Sequence, residues 1–232
     1  MKLSVADVLE ANESLSSKVV ENWKWIIDRT PDGVDLSRLD HREFMHKWLN
    51  KLRCRIEYGT SQDESVLSLS LHTWWKEHRS VLVELQKTGL YDLTDPLLEN
   101  AVNAAADLSS QPASHSRNRK VNWVATSKVL MAVSPRAMSA WDNRIAADLY
   151  GGLSVQGFRR HLDETRQAAC ELNESLEIQK LAEGPEGIGF GKLIDQTLYY
   201  WCTVKKMSSK LISSSSYSGI EKCSDNAPGE NT

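Results

Sequence analysis

The chain has 232 residues, enough for one large domain or two small ones, and is 41% hydrophobic and 25% charged, a balance that permits a packed core and excludes wholesale disorder. Twelve glycines and six prolines fall below average usage, which argues against a turn-rich β-sandwich or barrel and favours helices. The net charge of −3 announces neither a nucleic-acid nor a membrane partner for the chain as a whole.

The opening MKLSVADVLEANESL carries acids where a signal peptide needs an unbroken apolar stretch. Leu15, Val19, Trp23, Ile26 and Ile27 then form one helical stripe, and Phe44, Trp48, Leu49, Leu52 and Ile56 a second. Residues 66–85 read as one long helix or two short ones, with Leu71, Trp74, Trp75, Val81, Leu82 and Leu85 inward. Asp95-Pro96 opens the next helix, proline in its first turn, carrying Leu98, Ala101, Val102, Ala105 and Leu108. The polar SSQPASHSRNRK separates it from a helix over about 121–133. Ser139 can cap a further helix around 140–149, which Gly151-Gly152 ends. Phe158, Leu162, Thr165, Ala169, Leu172 and Leu176 step by three and four, the cleanest helical signal. EGPEGIGFG reads as a flexible interhelical loop before a last helix over about 190–206, with Leu193, Ile194, Thr197, Leu198, Trp201 and Val204 on its face. There is no period-2 strand, no internal repeat and no apolar run near the roughly 18 residues of a membrane span. The expectation is an all-α domain of about eight helices over 1–206. Residues 207–232, with eight serines in 26 residues, read as a disordered tail.

Cys54, Cys170, Cys202 and Cys223 are scattered without a CxxC pair, so reduced thiols in a cytoplasmic protein are expected. The six histidines include His41 with His46 and His72 with His78, but no HExxH and no CxxC…H pair; no metal site is expected. The glycine-rich segment lacks the GK[ST] ending of a phosphate loop, and no GxSxG or cysteine–histidine signature suggests acyl transfer. No cofactor is implied. Charge, however, is unevenly spread. Residues 117–160 hold Arg117, Arg119, Lys120, Lys128, Arg136, Arg144, Arg159 and Arg160 against Asp142 and Asp148, a local +6 in a chain whose remainder sums to −9. Such a block matches a polyanion footprint, because neutralised phosphates release condensed counterions; a solvated basic face has the same composition. Trp123, Trp141 and Tyr150 lie within it, and aromatic faces stack on bases.

Inside the block, WVATSKVLMAVSPRAMSAWDNRIAADLY (123–150) has a small-residue helix start, an apolar run ending at Leu130, a short loop, and a Trp-Asp pair opening an amphipathic helix. This pattern resembles the helix-hairpin-helix DNA glycosylase superfamily. The resemblance implies an all-α fold of two lobes with a cleft, double-stranded DNA as partner, and an enzyme that flips a base and hydrolyses its N-glycosidic bond. It makes Asp142 the catalytic carboxylate, a fixed anion beside an oxocarbenium-like transition state or an orienter of the attacking water. A first-turn aspartate also serves as an ordinary helix cap. By the same resemblance Arg117, Arg119, Lys120 and Arg144 contact DNA, and Trp123, Trp141 and Tyr150 wall the base pocket, with Trp74 or Trp75 as further candidates. The family's hairpin is glycine-rich; here SHSRNRKVNWVATS has no glycine. Val124 stands where lyase members carry lysine. Lys128, one turn further on, is the candidate nucleophile, although valine at that position favours a monofunctional, water-using enzyme. Defence against phage genomes with modified bases is a setting that suits the eight tryptophans. The alternative is a non-catalytic helical module that binds DNA or a protein partner.

Overall fold

The computed structural model describes residues 1–15, 17–54, 56, 64–114, 119–183 and 188–207. Six helices within it start on a side-chain cap. Ser4, Ser65, Thr94, Asn122, Asp142 and Ser154 each accept from the backbone N–H three residues on, satisfying a donor that the first helical turn leaves free. The elements are α1 (Val5–Ser14), α2 (Ser17–Ile27), α3 (Leu39–Lys51), α4 (Val66–Lys87), α5 (Asp95–Ser110), α6 (Trp123–Val133), α7 (Asn143–Tyr150), α8 (Val155–Leu172), α9 (Leu176–Glu183) and α10 (Phe190–Leu198). A 3₁₀ turn, Leu90–Asp92, precedes α5, and a π-helical turn, Tyr199–Val204, follows α10. The described residues contain no strand; one isolated bridge pairs Pro112 with Lys120. No described helix is long and apolar enough to cross a membrane.

The expected all-α architecture is therefore present, with ten helices among the described residues instead of about eight. Trp48, Trp74, Trp141, Phe158 and Phe190 are fully buried in one core. Helix α4 packs on α5, α5 on α6 and α8, and α1 on α10. The first residue and the π turn after α10 are tied into this core. The Met1 ammonium lies 2.9 Å from Glu164, and Trp201 Nε1 donates to the Asp7 carbonyl at 3.3 Å.

Four local expectations need correction. Leu176 does not extend the stripe of α8, because the helix stops at Leu172, Ser175 N–H turns back to the Leu172 carbonyl, and Leu176 opens α9 with 73% of its surface exposed. Ser139 caps nothing. The chain stays irregular from Ser134 to Asp142, with Ala137, Met138, Ala140 and Trp141 buried, and the next helix starts only at Asn143, capped by Asp142. The last helix is α-helical only to Leu198. It then widens to π geometry over Tyr199–Val204, where Tyr200, Trp201 and Cys202 are buried. The described end of EGPEGIGFG is a close approach and not a flexible loop. A Cβ on Gly191 would collide with the Met138 carbonyl, and one on Gly189, whose φ is +84°, with the Pro135 carbonyl. Helix α10 thus starts directly on the 134–142 segment, where Lys192 N–H donates to the Pro135 carbonyl at 3.3 Å. Residues 184–187 and 208–232, and with them the expected serine-rich tail, lie outside the described residues.

Candidate functional site

Asp142 is the N-cap of α7, with extended backbone (φ −111°, ψ 177°). Its half-buried carboxylate is held at both oxygens. Oδ1 accepts from Ile145 N–H at 2.8 Å, and Oδ2 accepts from the Thr203 hydroxyl at 3.0 Å. Thr203 sits in the π turn. Helical threonines commonly bond back to the carbonyl four residues earlier, as Thr165 and Thr197 do here; Thr203 gives its proton to Asp142. The adjacent Cys202 thiol is pushed up to about 12 by burial, aided by the Asp148 and Asp142 carboxylates.

The residue before Asp142 anchors the loop. Trp141 is fully buried, and its backbone N–H lies 3.3 Å from Ser127 Oγ on α6, which is also 3.3 Å from the Trp141 carbonyl. The indole ring stacks on His161 (centroids 5.5 Å, interplanar 29°) and meets Phe158 at 5.3 Å and Tyr150 at 6.0 Å. Trp123 joins the cluster through Phe158 at 5.5 Å. His161 has no solvent exposure, and burial lowers its pKa to about 4. The neutral ring donates from Nε2 to the Ser139 carbonyl (3.2 Å) and accepts at Nδ1 from the Tyr150 hydroxyl (3.3 Å), the tautomer these partners select. Burial and then the Glu164 carboxylate push that hydroxyl well above the usual phenol range. Trp141 and Tyr150 thus both meet His161, and Trp123 joins them through Phe158. Trp141 lies in the core beneath Trp123 and Tyr150, which are both partly buried; a base reaches Trp141 only if the core opens.

The basic block separates into two groups. Arg136 pairs with Glu183 (3.2 Å), Arg144 with Asp148 (2.7 Å), Arg159 with Glu99 (3.1 Å) and Arg160 with Glu164 (2.7 Å). Exposed pairs like these contribute little to stability, but they cancel charge. Arg119, Lys120 and Lys128 have no ion pair among the described residues. Segments 111–113 and 119–121 run together through Ala113 N–H to the Arg119 carbonyl (2.7 Å) and Val121 N–H to the Gln111 carbonyl (2.8 Å). This places Arg119 and Lys120 on a depression of about 350 Å³, walled also by Cys54, Ile56, Ala113 and Asn122. Lys128 is close enough to Cys54 to oppose the rise that burial causes in its thiol. Arg117 lies outside the described residues. Trp74 and Trp75 are buried on α4; Trp74 Nε1 donates to the Ala104 carbonyl at 2.7 Å.

Thr203 and His161 carry this geometry, and neither stands out in the sequence as a functional residue. His161 follows Phe158 by three on the apolar stripe of α8, a spacing that marks a buried histidine. Nothing in the local sequence marks a π turn, so Thr203 had no signal. Glu77, His78 and Asp107, on α4 and α5, form a separate cluster of metal-ligand atoms. Comparison with protein-family models, curated proteins and solved structures finds no match to this chain.

Proposed function

We propose that this chain is a monofunctional DNA N-glycosylase of the helix-hairpin-helix kind, with Asp142 as its catalytic carboxylate. The observation that carries the proposal is the setting of Asp142. A half-buried carboxylate stands at a helix start, fixed by two donors, on a loop anchored to α6 at Ser127. Asn122, the cap of the same helix, lines the depression that holds Arg119 and Lys120. Five residues of helix, about 7.5 Å at 1.5 Å per residue, separate Asn122 from Ser127. Two cations without an ion pair among the described residues and a fixed anion therefore both stand against α6, the cations at its start and the anion's loop at Ser127, as phosphate capture beside a developing sugar cation requires.

In this reading the backbone phosphates lie against Arg119, Lys120 and Lys128, with the duplex in a cleft between two lobes and the extruded base beside Trp123 and Tyr150, backed by Trp141. As the C1′–N bond breaks, its electron pair leaves with the base. The Asp142 anion stabilises the oxocarbenium-like sugar, and water adds at C1′, its proton ending on the departed base, to leave an abasic site. Lys128 acts as a charge and not as a nucleophile, since Val124 occupies the position used by lyases. A modified base, as in phage DNA, is the proposed substrate class. One observation favours the non-catalytic alternative: both Asp142 oxygens already have partners within the chain. Incubation with duplexes and genomic DNAs bearing different modified bases, followed by alkali cleavage, separates the two. Abasic sites without a borohydride-trapped adduct are expected. Duplex binding with no abasic product from any DNA selects the binding module.

A further inference from the structure

The sequence holds no metal-binding motif, yet folding assembles one set of mixed nitrogen and oxygen ligands away from Asp142. Glu77 and His78 are neighbours on α4, and Asp107 lies on α5. Their ligand atoms all fall within 4.8 Å of one another, the one such group among the described residues. His78 Nε2 is 2.8 Å from Asp107 Oδ2. The side chain of His78 is 18% exposed and that of Asp107 58%, so an ion has access from solvent.

The two helices are held in place close by. The Trp74 indole, fully buried, donates to the Ala104 carbonyl at 2.7 Å. His78 follows Trp74 by one turn and packs against its ring (centroids 6.1 Å), while Asp107 follows Ala104 by one turn. The imidazole is thus oriented by a buried ring on one side and a carboxylate on the other. The other histidines among the described residues are committed elsewhere. His41 accepts from Asp35 N–H, His46 approaches the Ile56 carbonyl, His72 contacts Arg42, and His161 lies in the core.

We infer that Glu77, His78 and Asp107 form a binding site for a divalent first-row transition ion, of the zinc class, on the α4–α5 seam. An imidazole with two carboxylates is a borderline donor set that suits zinc, cobalt or nickel over calcium or magnesium. Two carboxylates with a neutral imidazole carry −2, which one divalent ion neutralises. Bonds of about 2.0–2.2 Å to nitrogen and oxygen bring ligands to roughly 3 Å from one another, so side-chain rotation from the present 4.8 Å limit completes the site. Three protein ligands leave a position for water. The site is independent of the DNA reading, and its test uses no DNA.

The test is titration of the full, reduced chain with zinc chloride by calorimetry and with cobalt chloride by absorption. One equivalent is expected to bind. His78→Gln and Asp107→Asn should each weaken it by at least about tenfold, the lower end of what losing even an outer-shell partner of a metal costs. Bound cobalt should show ligand-field bands without the intense thiolate charge-transfer band that the cysteines would give. If His78→Gln disturbs the α4–α5 packing, seen as a lowered melting temperature, Glu77→Gln on the exposed side serves in its place. No saturable binding by the wild-type chain overturns the inference, as does binding of unchanged strength in these variants or a spectrum dominated by thiolate.

Discussion

Acidification should destabilise this protein through one buried ring. His161 is fully enclosed, and burial lowers its pKa from 6.5 to about 4. Its direct partners are the Ser139 carbonyl, the Tyr150 hydroxyl and the Trp141 ring, and the Asp195 and Glu164 carboxylates, which favour imidazolium, do not offset the burial. A folded-state pKa below the unfolded one means that the unfolded chain takes up the proton first. Stability is then complete above 6.5, falls as pH drops through that value, and is fully lost below about 4. The gap corresponds to about 3 kcal/mol, most of which is lost between roughly pH 7.5 and 4.5. That is a large fraction of the ~5–15 kcal/mol of a typical domain. Urea unfolding of wild type and His161→Gln at the two pH values isolates it, because all other titrating groups are common to both proteins. The wild type should lose about 2–3 kcal/mol more than the variant over this interval. Equal losses, or a ring that titrates near 6.5 in the folded protein by NMR, would refute the burial argument.

The same core makes further predictions. Gly191→Ala should cost about 1–3 kcal/mol or more, seen as a lowered urea midpoint, because its Cβ meets the Met138 carbonyl; wild-type stability would show that the 134–142 segment yields freely. Arg119→Ala with Lys120→Ala should weaken duplex binding and reduce the salt slope by about one for each phosphate no longer neutralised, whereas Arg136→Ala, whose charge is already paired with Glu183, should change the slope far less. Asp142→Ala should cost about 1 kcal/mol for the missing cap. A double-mutant cycle with Thr203→Val should return a coupling of at least about 0.5 kcal/mol; strict additivity would mean that hydroxyl and carboxylate do not interact.

Helix content and most helix positions were legible because the apolar stripes of α3, α4, α5 and α8 obey one periodicity and polar caps punctuate them. What escaped was set by contacts distant in sequence. The three-and-four spacing through Leu172 and Leu176 ignores the turn between them, since periodicity carries no information on where a backbone reverses. Ser139 has the chemistry of a cap, but it is buried and the helix starts at Asn143 on the Asp142 cap, a choice between two cap residues that local sequence does not make. The charge excess over 117–160 was legible as a sum; its division into four paired bases and an unpaired set needed Glu99, Glu164 and Glu183, which lie elsewhere in the chain or beyond the block. Asp142 could be placed at a helix start from sequence, while its second partner, Thr203, 61 residues away, could not.

The central claim rests on the Asp142 carboxylate, and Asp142→Asn tests it most directly. Asparagine caps a helix about as well as aspartate, so the variant should fold and bind duplex DNA at least as well as the wild type. Measured on the modified-base DNA that the wild type cleaves, its rate of base release should fall by about 10²–10³, the usual consequence of removing one preorganised electrostatic group. A folded Asp142→Asn protein that releases the base at the wild-type rate would contradict the assignment.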